Sequence, residues 1–364
     1  MAGYPRLAGA ARRQKMFESN PLPQPTVGLA KPREVPVVRD LRSCEPLALG
    51  GAKSTSADFP YPAPRAPYGG GVTTRRLLGA LRRWVGFDVT PLDDSAFVVQ
   101  RRGVRPLAVQ SVGPPNLRSF VVFDRRAARR HMNSYQRSMA EHLGEQHLLW
   151  VFRALGISCV LDVGANRGQF ATRLREAGYR GRIVSYEPVA HLYAALAEAA
   201  ADDLDWLVRP WALGDCEGTA DINVVPGTMS SLLPASDFGK EWSSKLGRSH
   251  TETITIHRLD AVLDEATEGL DEPRIFLKMD TQGYDLATMR GAGHRLDDFL
   301  ALQSEVSCLP IYEGMPRMTE QLDTYEAAGF AISAMFPVSH HRKTLRAIEF
   351  DVVMVRPNAG LPAG

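Results

Sequence analysis

The sequence predicts an α/β protein built on a doubly wound, mostly parallel sheet. Three observations carry this. Short apolar runs of strand length alternate with amphipathic helical stretches from about residue 157 onward, as strands buried on both faces require. A glycine turn, Gly164-Ala165-Asn166-Arg167-Gly168, stands where the first of these strands gives way to a helix. An acid, Glu187, ends the second strand, twenty-three residues beyond Gly164.

The elements follow in order. Residues 157–163 (ISCVLDV) form a continuous apolar run, and residues 168–177 form a helix with Phe170, Leu174 and Ala177 aligned. Residues 182–186 (RIVSY) make the next strand, followed by a helix with Val189, Leu192, Leu196 and Ala199 on one side. Residues 206–213, 275–279 and 299–306 supply three more strands. A helix carrying Met318, Leu322 and Tyr325 precedes two late strands, 330–336 and 347–355. Right-handed crossovers place a ligand at the carboxyl ends of such strands. Upstream, a helix is expected over 126–155, short strands at 97–100 and 119–123, and a basic amphipathic helix over 73–89. That last helix suits packing on the neighbouring domain or lying on a membrane surface.

The chain of 364 residues is 44% hydrophobic and 23% charged, which suits a globular protein. It has neither an apolar run of about 18 residues to span a membrane nor a signal-peptide core. Cys44, Cys159, Cys216 and Cys308 are scattered without a metal-ligand spacing, which suits a reducing, cytoplasmic setting. Residues 1–71 hold 11 of the 25 prolines and read as a disordered leader. The run Gly69-Gly70-Gly71-Val72 is also what a ribosome-binding site and a GTG start look like when translated through, which makes Val72 an alternative start. Residues 72–150 read as an N-terminal extension, 151–356 as the catalytic domain and 357–364 as a flexible tail. Residues 1–150 carry 23 Lys and Arg against 11 Asp and Glu, whereas the remainder carries 20 against 30. The basic first part suits a solvated leader or an arm that touches nucleic acid or anionic lipid.

The glycine turn is expected to aim backbone N–H groups at a ligand, with Glu187 on its ribose. A dinucleotide prefers a middle glycine where this chain has Asn166, so the turn better suits S-adenosylmethionine. A structural role for the turn is the plain alternative. Asp280 follows the strand IFLKM on the same side as Lys278, where it can reach both donor and acceptor or cap the next helix. Ser230, Ser231, Glu305, the segment 311–314, His340 and His341 lie at strand ends or crevice loops. The Asn/Asp-Pro-Pro-aromatic motif of base and amine methylation is absent.

Taken in order, LDVGANRGQF, SYEP, ALGD, SSLLP, RLDAVLDE, KMDTQGYDL, SEVSCLPIYEGMP and FDVVMV resemble the FkbM family of S-adenosylmethionine-dependent methyltransferases over about residues 151–356. The resemblance implies the class I methyltransferase, Rossmann-like sheet with an antiparallel last strand. It also implies methyl transfer to oxygen on a sugar, a glycolipid or polysaccharide, or a polyketide-type product. Asp162, Gly164, Asn166, Gly168 and Glu187 match its donor positions, and Asp215 an adenine contact. The family often has Glu at the position of Gln282, so Asp280 or Asp285 inherits any base role, with Glu305, His340 and His341 as substitutes. A nucleic-acid methyltransferase using the Arg-rich residues 73–130 and a nicotinamide-dependent oxidoreductase are the alternatives.

Overall fold

The computed structural model describes residues 87–91, 97–101, 107–112, 119–357 and 359–360. The leader, the start at Val72 and residues 361–364 of the tail lie outside them. So does the helix expected over 73–89, except that residues 87–89 open a strand.

Two antiparallel hairpins come first: β1 (Phe87–Pro91) with β2 (Phe97–Arg101), and β3 (Leu107–Val112) with β4 (Ser119–Asp124). Asp124 caps α1 (Arg125–Arg130) by accepting from the N–H groups of Arg126 and Ala127. The single helix expected over 126–155 is two helices, because His131 (φ −124°, ψ 47°) leaves helical geometry before α2 (Met132–Leu155) begins. Gly156, left-handed at φ 61°, ends α2.

The main body alternates as expected. Its elements are β5 (Cys159–Val163), α3 (Gln169–Glu176), β6 (Arg182–Tyr186), α4 (Ala190–Ala200) and β7 (Trp206–Arg209). Then come β8 (Ala212–Gly214), β9 (Gly218–Val224), α5 (Asp237–Trp242), β10 (His250–Arg258), α6 (Leu259–Thr267), β11 (Ile275–Met279) and α7 (Asp285–Arg290). After a 3₁₀ turn follow β12 (Phe299–Ser307), α8 (Met318–Ala327), β13 (Ala331–His340) and β14 (Ala347–Val355).

Seven strands form one sheet in the order β7-β6-β5-β11-β12-β14-β13. Its first five strands are parallel, and β14 runs antiparallel to both β12 and β13. Both faces are covered. Val160, Ile183, Phe276, Ala301 and Val353 pack against Leu148 and Phe152 of α2 and Leu174 of α3. Leu161, Val184, Leu277, Leu302 and Val352 pack against Leu259 and Leu263 of α6 and Tyr325 of α8.

The run 206–213 departs from expectation. Pro210 has no N–H for the ladder, and the chain leaves the main sheet there. β8 pairs instead with β10 in a three-stranded sheet, β8-β10-β9. Strand β10 and helix α5 are elements the sequence reading did not include.

Candidate active site

The glycine turn shapes the centre of the sheet. Gly164 adopts φ 78°, and a Cβ there would stand 2.1 Å from the carbonyl oxygen of Asp280. Only glycine therefore lets the ends of β5 and β11 close up. At Gly168 (φ 82°) a Cβ would meet the ring of Trp206 at 2.8 Å, so this glycine seats α3 on the sheet.

The turn's own N–H groups are satisfied within the protein, which corrects the expectation that they wait for an anion. Gly164 and Ala165 both donate to the carbonyl of Tyr186 (3.0 Å each), and Gly168 to that of Ala165 (2.9 Å). Asn166 N–H donates to Glu187 Oε2 (2.8 Å), and Arg167 N–H to Asn166 Oδ1 and Gln169 Oε1 (3.0 Å each). A pyrophosphate would find no donor in this stretch. A ligand that meets the turn with neutral atoms loses nothing.

Glu187 is the buried acid of the site. Its Oε1 accepts from Val189 N–H (2.9 Å) and its Oε2 from Asn166. Burial pushes its carboxyl up to about 7, against the pull of these two backbone bonds. Each oxygen keeps a lone pair for a donor such as a ribose hydroxyl.

A cavity of about 370 Å³ opens at the carboxyl ends of the strands. One half is walled by Gly164, Ala165, Asn166, Glu187, Pro188, Trp211 and Leu213, and the other by Asp280, Gln282, Glu305, Asp351, Arg137 and Phe336. The first offers an acid and flat apolar surface for an adenosine. The second is rich in carboxylates and amides.

Lys278 links the halves and was missed as a site residue. Its ammonium lies 3.1 Å from Asp162 Oδ1 and 3.6 Å from Asp280 Oδ2, and it donates to the carbonyl of Gly164 (3.3 Å). Burial alone would lower its pKa, but the two carboxylates outweigh burial and hold it charged. The available signal was a lysine inside an otherwise apolar strand.

Gln282 is a clamp. Its Nε2 donates to Asp280 Oδ1 (2.9 Å) and to Glu305 Oε2 (2.8 Å). The hydroxyl of Tyr312 lies 2.7 Å from Gln282 Oε1, which fixes which end of the amide faces the carboxylates. Ser231 Oγ holds the Gln282 carbonyl at 2.7 Å, against a backbone at φ 54°. Behind this clamp, Glu305 pairs across the sheet with Asp351, and Glu349 is two residues along β14 on the same face. Burial, with neighbouring carboxylates adding, raises Glu305 well above the ordinary range. It also lifts Glu349 to about 7 and Asp351 to about 6.

Of the residues singled out from sequence, Gly164, Asn166, Glu187, Ser230, Asp280, Gln282 and Glu305 line this cavity, whereas Asp162, Gly168, Asp215, Ser231, Asp285, His340 and His341 do not. Asp162 is fully buried behind it, held by Lys278 and by Ser185 Oγ (3.2 Å). Asp285 is corrected as a candidate base. Its Oδ1 accepts from the N–H (2.9 Å) and hydroxyl of Thr281 and its Oδ2 from Ser304 Oγ (2.6 Å), so it braces the loop. The cap expected of Asp280 is not made: α7 begins at Asp285 with Tyr284 at its N-cap position and no side-chain cap hydrogen bond. Asp215 pairs with Arg290 (3.2 Å), and Trp211, Ala212 and Leu213 wall the cavity in its place. His340 ends β13 and offers its carbonyl to Asn133 Nδ2 (3.1 Å). His341 bonds Thr344. Among the described residues no group of three or more His, Cys, Asp or Glu is arranged to hold a metal ion.

A seven-stranded sheet with its next-to-edge strand reversed, a closed glycine turn and a second-strand acid together define a class I S-adenosylmethionine-dependent methyltransferase. Residues 162–332 match the methyltransferase FkbM domain, and S-adenosylmethionine is the methyl donor. Solved structures of similar fold include fibrillarin from Aeropyrum pernix with natively bound S-adenosyl-L-methionine (13% identity, 75% of this chain and 95% of that one, TM-score 0.33). Another is magnesium protoporphyrin IX methyltransferase from Synechocystis PCC 6803 with bound donor (10% identity, 60% and 79%, TM-score 0.34). A third is an rRNA methylase from Streptococcus thermophilus (9% identity, 60% and 96%, TM-score 0.32). No curated protein matches the chain.

Proposed function

We propose that this chain transfers a methyl group to a hydroxyl oxygen of a sugar, in a glycolipid or polysaccharide, or of a polyketide-type product. The observation that carries this reading is the composition of the cavity's second half. Asp280, Gln282, Glu305 and Asp351 stand side by side there, continuous with the donor half. Such a wall accepts and donates hydrogen bonds to several hydroxyls at once. Its carboxylates would repel a phosphodiester backbone, which speaks against a nucleic-acid acceptor. The closed glycine turn speaks against a nicotinamide dinucleotide.

When bound, S-adenosylmethionine supplies an electrophilic methyl on a sulfonium. Glu187 holds the ribose, while Pro188, Trp211 and Leu213 take the adenine; these donor roles are part of the proposal. Asp280 is the proposed base. It lies at the mouth, its side chain 39% exposed, where it accepts the proton of the incoming hydroxyl. Lys278 and Gln282 orient its two oxygens. Glu305, its carboxyl raised by burial and by neighbouring carboxylates, faces a second acceptor oxygen. Alignment supplies roughly 7–11 kcal/mol of the barrier, and the base about 10²–10⁴-fold. A reducing, cytoplasmic setting belongs to the same proposal, supported by free thiols at Cys159, Cys216 and Cys308.

The test is transfer of label from methyl-tritiated donor to pools of glycolipid, polysaccharide, polyketide and RNA, with label released as volatile methyl iodide when hydriodic acid cleaves the methyl ether. Labelling of RNA alone overturns the reading. With the acceptor in hand, Asp280→Asn is expected to keep donor affinity within threefold and to lower turnover by about 10²–10⁴-fold.

A further inference from the structure

Residues 107–112 and 119–132 present a surface that the catalytic site does not use. In the β3–β4 hairpin, Val109 stands opposite Val122 and Ser111 opposite Phe120. Opposed residues and those two apart share a face, so Leu107, Val109, Phe120 and Val122 stand together with Ser111 and with Asp124, whose carboxylate is turned to the N–H groups of α1. On the reverse face Ala108 is buried and the Phe123 ring lies 5.5 Å from Tyr135 of α2, while Val112 at its far end is 38% exposed. The first face stays open: Leu107 and Val122 are each 41% exposed, and Met132 just beyond is 45% exposed.

β4 runs directly into α1, whose sequence is RRAARR. Ala128 is buried, while Arg125, Arg126, Arg129 and Arg130 are exposed and have no ion-pair partner among the described residues. Among the described residues some other arginines are paired, as in Arg173–Glu145, Arg175–Asp203, Arg209–Glu265 and Arg295–Asp298, but none of the others stand four to a six-residue helix. Four like charges within one short helix repel, and aliphatic side chains beside them lose by facing water.

One environment relieves both. At an anionic bilayer surface the headgroups take the guanidinium groups and the acyl boundary takes the aliphatic side chains. A nucleic acid would neutralise the arginines and leave Leu107 and Val122 in water. The surface also adjoins the cavity's second half. Asn133, one residue past Met132, bonds the carbonyl of His340 at the tip of β13, and Arg137 and Phe336 line the cavity. We infer that residues 107–112 and 119–132 dock the protein on an anionic lipid surface, with the acceptor half of the cavity facing the headgroup layer. The inference does not depend on which hydroxyl is methylated.

The experiment is vesicle flotation of the full chain on phosphatidylcholine with and without phosphatidylglycerol. Two variants are compared, Arg125→Glu/Arg126→Glu/Arg129→Glu/Arg130→Glu and Leu107→Ser/Val122→Ser. The parent is expected to float only with anionic vesicles, and less so as salt rises. Each arginine near such a surface is worth about fivefold in partitioning, so the arginine variant should lose at least a hundredfold. The serine variant should lose several-fold and keep the salt dependence. S-adenosylhomocysteine affinity should match the parent in both, since none of these side chains lines the cavity. Equal flotation of parent and arginine variant overturns the proposal, because another segment then does the binding. So does a parent that never floats, including one that instead shifts RNA in a gel through the same arginines.

Discussion

Lys278 and Asp162 face each other across the β11–β5 pairing, ammonium to carboxylate 3.1 Å, with the carboxylate wholly buried. The pair ties the strand that carries the donor turn to the strand that delivers Asp280. Removing one partner strands the other's charge in the interior, at a cost of about 3–5 kcal/mol. Lys278→Met should therefore lose that much in urea unfolding. Lys278→Met/Asp162→Asn should regain at least half. A single variant as stable as the parent would show that the pair holds nothing together.

Glu187 gives donor binding a pH dependence. With its carboxyl lifted to about 7, it ionises as pH rises through neutrality, and ribose hydroxyls donate to the ionised form. S-adenosylhomocysteine should bind more weakly as pH falls from 8 to 5.5 in calorimetry. Glu187→Gln should flatten the profile and lower affinity at pH 8 by about 1.5–3 kcal/mol.

Gln282→Glu reverses the clamp, since two N–H donors to Asp280 and Glu305 are replaced by a third carboxylate. The donors that orient Asp280 are then lost, so turnover should fall by a large part of the about 10²–10⁴-fold that a positioned base supplies, with donor affinity little changed. Unchanged turnover would mean that the clamp does not position Asp280.

Glu349 links stability to pH. Its carboxyl sits at about 7 in the fold against an ordinary 4.5, so between those values the folded protein holds the extra proton. Stability contributed by this group is present below 4.5 and lost as pH rises through 7. Glu349→Gln should raise Tm at pH 8 by several degrees and change it little at pH 5, at about 2–4 °C per kcal/mol.

Much of the sheet is legible from sequence, because a strand covered on both faces is an uninterrupted apolar run. Residues 182–186, 275–279 and 347–355 coincide with β6, β11 and β14. The run 206–213 misleads because apolar character continues through Pro210 while the pairing partner changes from β6 to β10. Gly164, Glu187 and Asp280 are legible because local spacing alone carries them to the crevice. The roles of Lys278 and Glu349 are not, since they follow from the register of strands far apart in the chain. Asp285 looks like Asp280 in sequence. Only the hydroxyls of Thr281 and Ser304 reveal that its oxygens are spent.

The closed turn at Gly164–Gly168 has a consequence for selectivity. Nucleotides such as ATP and NAD share the adenosine moiety that the proposal assigns to Glu187 and Trp211, and they compete for any pocket that reads only that part. Here their phosphates would meet amide groups already engaged by Tyr186, Glu187, Asn166 and Ala165. Each phosphate charge would lose water and gain no partner from that stretch. Rejection of the cell's commonest adenine compounds is thus written into hydrogen bonds the protein makes with itself.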